Sequence, residues 1–148
     1  MNMVKRAAAV VVAGIMVFSL AGCKKSKKIT SDDFVKAAEK IGLTCEEQDD
    51  SVSATNDDAS IEASFAEAKD TDEAKEAFDL IKSMSGASDE DKLKDQGIEV
   101  KSSSNKFEAF DDTHYMIIAR NDKAIITVMA EGEDQVSKAK DFVKDLGL

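Results

Sequence analysis

The 148-residue chain has no proline and no tryptophan, one tyrosine, one histidine and two cysteines. With aromatics at only 5%, its core must rest on Ile, Val, Leu, Met, Ala and a few Phe, which gives a body of modest stability. Two cysteines cannot build a disulfide framework, so packing has to hold the fold. The single histidine, His114, sits beside Asp111-Asp112, yet a metal centre needs three or four ligands oriented by their neighbours, and one His at a turn supplies too few. The carboxylate-rich turns Asp49-Asp50, Asn56-Asp57-Asp58 and Asp89-Glu90-Asp91 lack the spacing of a calcium loop. There is no Gly-rich phosphate loop, Gly-x-Ser-x-Gly, Cys-x-x-Cys or His-Glu-x-x-His, and these absences weigh against an enzyme. Neither a cofactor nor a metal is expected.

Charge is plentiful but uneven. The formal net charge is −10, and six of the 20 basic residues (Lys5, Arg6, Lys24, Lys25, Lys27 and Lys28) precede Ile29. From Ile29 onward 14 basic residues face 30 acidic ones. Such a body repels phosphate backbones and anionic headgroups, which excludes nucleic acid as a natural partner.

The basic start, Met1 to Arg6, leads into an uncharged apolar run from Ala7 to Leu20. About 14 residues are too few to span a bilayer comfortably but suit the apolar region of a signal peptide. The run closes on Leu20-Ala21-Gly22-Cys23. In all four positions this resembles the lipobox of bacterial lipoproteins, a resemblance carried by residues 1 to 23. It implies cleavage between Gly22 and Cys23, attachment of a diacylglyceryl group to the Cys23 thiol as a thioether, and N-terminal acylation of Cys23 by a further chain such as palmitate. Two or three acyl chains, at roughly 0.8 kcal/mol per buried CH₂, hold a protein on a membrane where one chain does so only marginally. Cys45 would then be left single. The expected organisation is a signal peptide over 1–22, a lipidated Cys and basic tether over 23–30, and one extracytoplasmic domain over 31–148. The body is similar, loosely, to the small one-domain lipoproteins common in Gram-positive bacteria, through the lipobox, the basic spacer and a C-terminal helix ending in Lys144-Asp145-Leu146-Gly147.

Within the body, Ser31-Asp32-Asp33 opens a helix with Phe34, Val35, Ala38 and Ile41 at helical spacing and Gly42 just past its end. Short strands are expected at Leu43 to Glu47, with Cys45 inward, and at Ser51 to Thr55. Ala59 to Ala68 alternates as a half-buried strand, and Asp70 starts a helix running to Met84. Ser88 to Gln96 is polar and reads as a loop or short helix. Strands follow around Ile98 to Lys101, Lys106 to Phe110, Tyr115 to Ala119 and Ala124 to Ala130, and a last helix runs from Asp134 to Leu146. Grouped, hairpin-linked strands argue for an α+β fold, an antiparallel sheet with about three helices packed mainly on one face.

A two-residue turn at Asn121-Asp122 would pair Ala119 with Ala124, Ile117 with Ile126 and Tyr115 with Val128 on the face beneath the helices. The opposite face then carries His114, Met116, Ile118, Ile125, Thr127 and Met129. It is too apolar for a solvated surface and too polar for a second core, which makes it the candidate binding face, open to an envelope protein or a second copy of the chain. The sequence thus points to a membrane-anchored extracytoplasmic lipoprotein acting as a non-catalytic binding or accessory domain at the cell envelope. A small-molecule or peptide receptor for a transporter is the alternative, and a hydrolase pairing Cys45 with His114 a more distant one.

Overall fold

The structure, a computed structural model, describes residues 27–148. The expected signal peptide and Cys23 lie outside the described residues. Helix α1 (Ser31–Lys40) is followed by β1 (Thr44–Gln48), β2 (Ser51–Thr55), β3 (Ile61–Glu67), α2 (Thr71–Met84), α3 (Glu90–Asp95), β4 (Glu99–Ser102), β5 (Lys106–Phe110), β6 (His114–Asn121), β7 (Ala124–Glu131) and α4 (Glu133–Asp145). All seven strands form one antiparallel sheet in the order β1-β2-β3-β7-β6-β5-β4. The fold is α+β, as the strand grouping implies.

The helices begin where side chains can satisfy free backbone N–H groups. Thr30 caps α1 in a reciprocal box with Asp33, and Asp70 accepts from the N–H groups of Asp72 and Glu73 at the start of α2. Asp89 does the same for α3 through the N–H of Lys92. Helix α4 starts behind Gly132, whose φ of 106° is one that L side chains rarely adopt.

On the first face of the sheet, α1 and α4 cover Val52, Ala54, Ile61, Ala63, Phe65, Ile117, Ile126 and Val128. Phe34 of α1 joins this layer together. Its ring meets Phe142 of α4 edge-on at 5.4 Å and Phe65 of β3 at 5.9 Å, contacts worth roughly 0.5–1.5 kcal/mol each beyond burial. The second face is not bare, in contrast to the expectation of helices mainly on one side. There α2 and α3 bury Phe78 and Leu93 against Phe107, Ala109, Ile118 and Ile125. The polar segment expected as a loop or short helix is α3, held by one apolar anchor, Leu93.

The β6–β7 hairpin turns one residue later than the sequence suggests. Asn121 pairs with Ala124, and Asp122 takes φ 56° at the turn. Every partner therefore moves by two: Ala119 faces Ile126, Ile117 faces Val128 and Tyr115 faces Ala130, while Ile118 faces Thr127, Met116 faces Met129 and His114 faces Glu131. A shift of two preserves parity, so each side chain stays on its expected face.

The displaced turn frees Asn121 for another task. Its side chain is buried, accepts from the Ile29 N–H at 2.9 Å and donates to the Lys27 carbonyl at 3.4 Å. Ile29 is itself only 3% exposed, so Ile29 and Thr30 belong to the fold and not to the expected tether. Lys28 and Lys27 add surface ion pairs to Glu67 and Asp33, each worth little. The chain thus enters the body at the turn end of the central hairpin.

Two stability predictions follow from these geometries. Ala59 in the β2–β3 loop sits at φ 53°, where an L side chain costs roughly 1–2 kcal/mol. Ala59→Gly is therefore expected to raise stability by about 0.5–1 kcal/mol in urea denaturation, the gain being reduced by the extra freedom of the unfolded glycine. Asn121→Ala strands the buried Ile29 N–H and should lower stability by about 1–3 kcal/mol, with faster tryptic cleavage after Lys27 and Lys28.

Candidate functional site: the uncovered quarter of the sheet

Rows of side chains cross the second face from β1 toward β5. One runs Glu46, Ser53, Ser64, Thr127, Ile118, Phe107, and the next runs Thr44, Thr55, Glu62, Met129, Met116, Ala109. A third begins Gln48, Ser51 and passes Ala66 to Ile125. Along the rows the chemistry changes near the centre of the sheet, after Thr127 in the first, between Glu62 and Met129 in the second and between Ser51 and Ala66 in the third, from hydroxyl, amide and carboxylate toward β1 to mainly hydrocarbon toward β6, where the third row reaches Arg120. Helix α2 lies over the hydrocarbon side, against β6 and β7. The polar side, over β1–β3, is left open, with Ser51, Ser53, Glu62 and Ser64 half-buried and Thr44, Glu46, Gln48 and Thr55 exposed.

The six residues of the candidate face divide accordingly. Ile118 and Ile125 are core beneath α2, and Met116 packs at the edge of that cluster. Thr127 and Met129 are 8% and 6% exposed. Met116, Thr127 and Met129, with Ile81 and Ser85 of α2, line a gap of only ≈ 10 Å³, room for no more than about one water. The Thr127 hydroxyl is engaged with Ser64 at 2.6 Å. His114 stands at the far end of the face, half-buried. The open surface is thus displaced by two strands from the one read in the sequence, onto Ser53, Thr55, Glu62 and Ser64. Their strict alternation with Val52, Ala54, Ile61, Ala63 and Phe65 is the signal that locates them.

Helix α2 forms the wall of this open quarter. Lys82 reaches Glu90 and Ser102 and lies 5.2 Å from the Phe107 ring, which turns that flank toward β4 and β5. Ile81 and Ser85 sit over Thr127 and Met129. The opposite flank, toward β3, carries Glu73, Ala77, Leu80 and Met84 at successive helical spacing. Leu80 and Met84 are 59% and 54% exposed, the large apolar side chains left open among the described residues. Lys75 lies one heptad before Lys82 on the flank facing away. Floor and facing flank together hold Glu46, Glu62 and Glu73 and no lysine or arginine.

Two larger depressions elsewhere are of mixed charge. One, ≈ 440 Å³, runs between α1 and the chain end past Lys36, Lys40 and Asp145, and Lys40 pairs with Asp145 across it at 2.6 Å. Another, ≈ 620 Å³, lies beside Phe110, Asp111, Asp112, Glu133 and Lys140. There Lys101 and Lys140 close over the Phe110 ring at 4.9 and 4.2 Å, and the buried Tyr115 hydroxyl donates to Glu108 at 2.9 Å, its ionisation suppressed by burial and by that carboxylate.

Cys45 and His114 do not meet. Cys45 packs toward the first face on edge strand β1, and His114 points to the second face on β6, with β2, β3 and β7 between them. Four strand spacings amount to roughly 19 Å. Burial, together with Glu39 and Glu47, pushes the Cys45 thiol above its ordinary value, the opposite of what a nucleophile needs. Among the described residues no group of three or more His, Cys, Asp and Glu side chains is placed to hold a metal ion, and no helix is long and apolar enough to cross a membrane. No family model, curated protein or solved structure matches the chain.

Asp111, beside His114, staples the β5–β6 turn. Its Oδ1 accepts from the N–H groups of Thr113 and His114, each at 2.7 Å, and its Oδ2 lies 3.1 Å from His114 Nδ1. Burial works to raise its pKa, but the backbone N–H bonds from Thr113 and His114 and the side-chain bonds outweigh it, leaving the group below its ordinary 3.8. A carboxylate so lowered stabilises the fold above its unfolded value and loses that contribution as pH falls through the lower folded value. Asp111→Ala should accordingly be about 1–2 kcal/mol less stable than wild type at neutral pH, and the gap in denaturation midpoint should close in acid below the ordinary carboxylate value.

Proposed function

We propose that the protein is a membrane-anchored extracytoplasmic lipoprotein whose body acts as a non-catalytic binding domain at the cell envelope. The observation that carries the binding role is the uncovered quarter of the second sheet face, where a hydroxyl-rich floor meets the apolar flank of α2. An enzyme would call for convergent reactive groups, and the two candidates, Cys45 and His114, stand on opposite faces. The anchor rests on Leu20-Ala21-Gly22-Cys23. It is supported by the way residues 27–29 leave one end of the sheet, pinned at Asn121, which lets a short tether hold the body at a fixed end. A lipid-linked body is thereby oriented, with the floor of the open quarter running away from the anchor along β1–β3.

Cys23→Ala is expected to abolish incorporation of labelled palmitate and to move the protein from the membrane fraction to the soluble one. A photo-crosslinking residue placed at Ser53, on the floor, should give a covalent adduct in cells, while one at Asp79 on the outer side of α2 should not. Equal labelling at both positions, or none at Ser53, would remove the basis for assigning binding to this face.

A further inference from the structure

The occupant of the open quarter can be narrowed by its chemistry, an inference that rests on the binding role proposed above. Three features coincide there. The floor is neutral and hydroxylated at Ser53, Thr55 and Ser64, the wall is apolar at Leu80 and Met84, and the charge is of one sign. The sign is locally arranged and not a by-product of an acidic chain, because α2 directs Lys82 to the far flank, where it meets Glu90 and Phe107. Lys75 shares that flank by helical phase.

We infer that this open face and the α2 flank beside it dock a cationic segment of a partner polypeptide that presents apolar side chains along one side. Lysine or arginine of the segment would meet Glu62 and Glu46, its apolar side chains would cover Leu80 and Met84, and its amides would find the hydroxyls of the floor. Covering exposed apolar surface drives the association, while complementary charge sets encounter rate and excludes wrong partners. Alternative occupants fare worse on the same terms. A second copy of the chain, docked through the same quarter, would set glutamates against glutamates. Nucleic acid and anionic lipid are repelled, and a neutral glycan leaves the carboxylates unanswered.

Full-length protein in neutral detergent micelles provides the test, with fluorescence anisotropy of three short labelled peptides: Lys/Leu, Glu/Leu and Lys/Ser. The Lys/Leu peptide should bind best, with empty micelles subtracted. Glu62→Lys, and separately Leu80→Ser with Met84→Ser, should each weaken it about tenfold or more, whereas Asp79→Lys, the same charge change on the outer side of α2, should leave it within about twofold. Leu80 and Met84 are exposed, so these variants are expected to keep the wild-type melting temperature, which is checked in the same samples. Equal weakening by Glu62→Lys and Asp79→Lys would reduce the effect to overall charge and overturn the inference. Binding of the Glu/Leu peptide in preference, weakened by the Leu80 and Met84 changes, would overturn the cationic partner while leaving the face as the binding surface. Loss of peptide selectivity together with loss of the Ser53 adduct would bring down both.

Discussion

Seven consecutive residues of β7, Ala124 to Ala130, are buried, and a strand with no solvent side must be covered on both faces. Most of the architecture is a response to that requirement. The first face is met by α1 and α4 joined through Phe34 and Phe142, the second by α2, which returns from the end of β3 across β7 and β6. Helix α3 and the turn before it then extend the cover toward β4 and β5 through Leu93 and Ala87. A seven-stranded sheet is wider than one helix pair, so each face keeps an uncovered portion at the end away from its helices. These portions are diagonal to one another, over β4–β5 on the first face and over β1–β3 on the second.

The two uncovered portions differ in how the side chains treat them. Over β4–β5 the only aromatic, Phe110, is shielded by the stems of Lys101 and Lys140, long amphipathic chains covering apolar surface while their charges stay in water. Over β1–β3 the corresponding positions are short, Ser53, Ser64 and Thr55, and nothing folds across them. The flank of α2 that borders this portion has its large apolar residues in solvent. Short side chains make a flat floor and exposed hydrocarbon makes a wall, so the same economy of helices that leaves the quarter uncovered also shapes it.

The fold was legible wherever a period was strong. The alternation of Ile61, Ala63 and Phe65, the stripe of Ala74, Phe78 and Ile81, and the apolar runs of β6 and β7 define their elements directly. The turn of the central hairpin was not, because Asn121 and Asp122 both favour turns and the choice between them is made by a distant residue: Ile29, whose buried N–H takes the Asn121 side chain. Parity survives that error, so the faces were right and the partners wrong. The placement of the second helical layer was hidden for a different reason. The stripe of Ala74, Phe78 and Ile81 defines α2 without saying which face of the sheet it covers, and α3 adds only Leu93, a single apolar anchor with no period. Without that layer Ile118 and Ile125 look available for binding, whereas beneath α2 they are core.

Position in the sheet also keeps the reactive side chains of this body apart. The two side chains with intrinsic reactivity are parted by three strands and lie on opposite faces, and the thiol is pushed away from ionisation by its surroundings. Surface arrangement, in contrast, is coherent over a long distance. Asn121 fixes one end of the sheet to the incoming chain, α2 sorts its lysines to one flank and Glu73, Leu80 and Met84 to the other, and β2–β3 lay hydroxyls along the intervening strip. Each of these depends on the burial of β7, since α2 takes its rotational setting from the contacts of Ile81 and Ser85 with Thr127 and Met129. A rotation of α2 that exposed Ile81 would carry Lys82 off Phe107 and turn Leu80 inward, so the apolar flank stands open only in the register that closes the core.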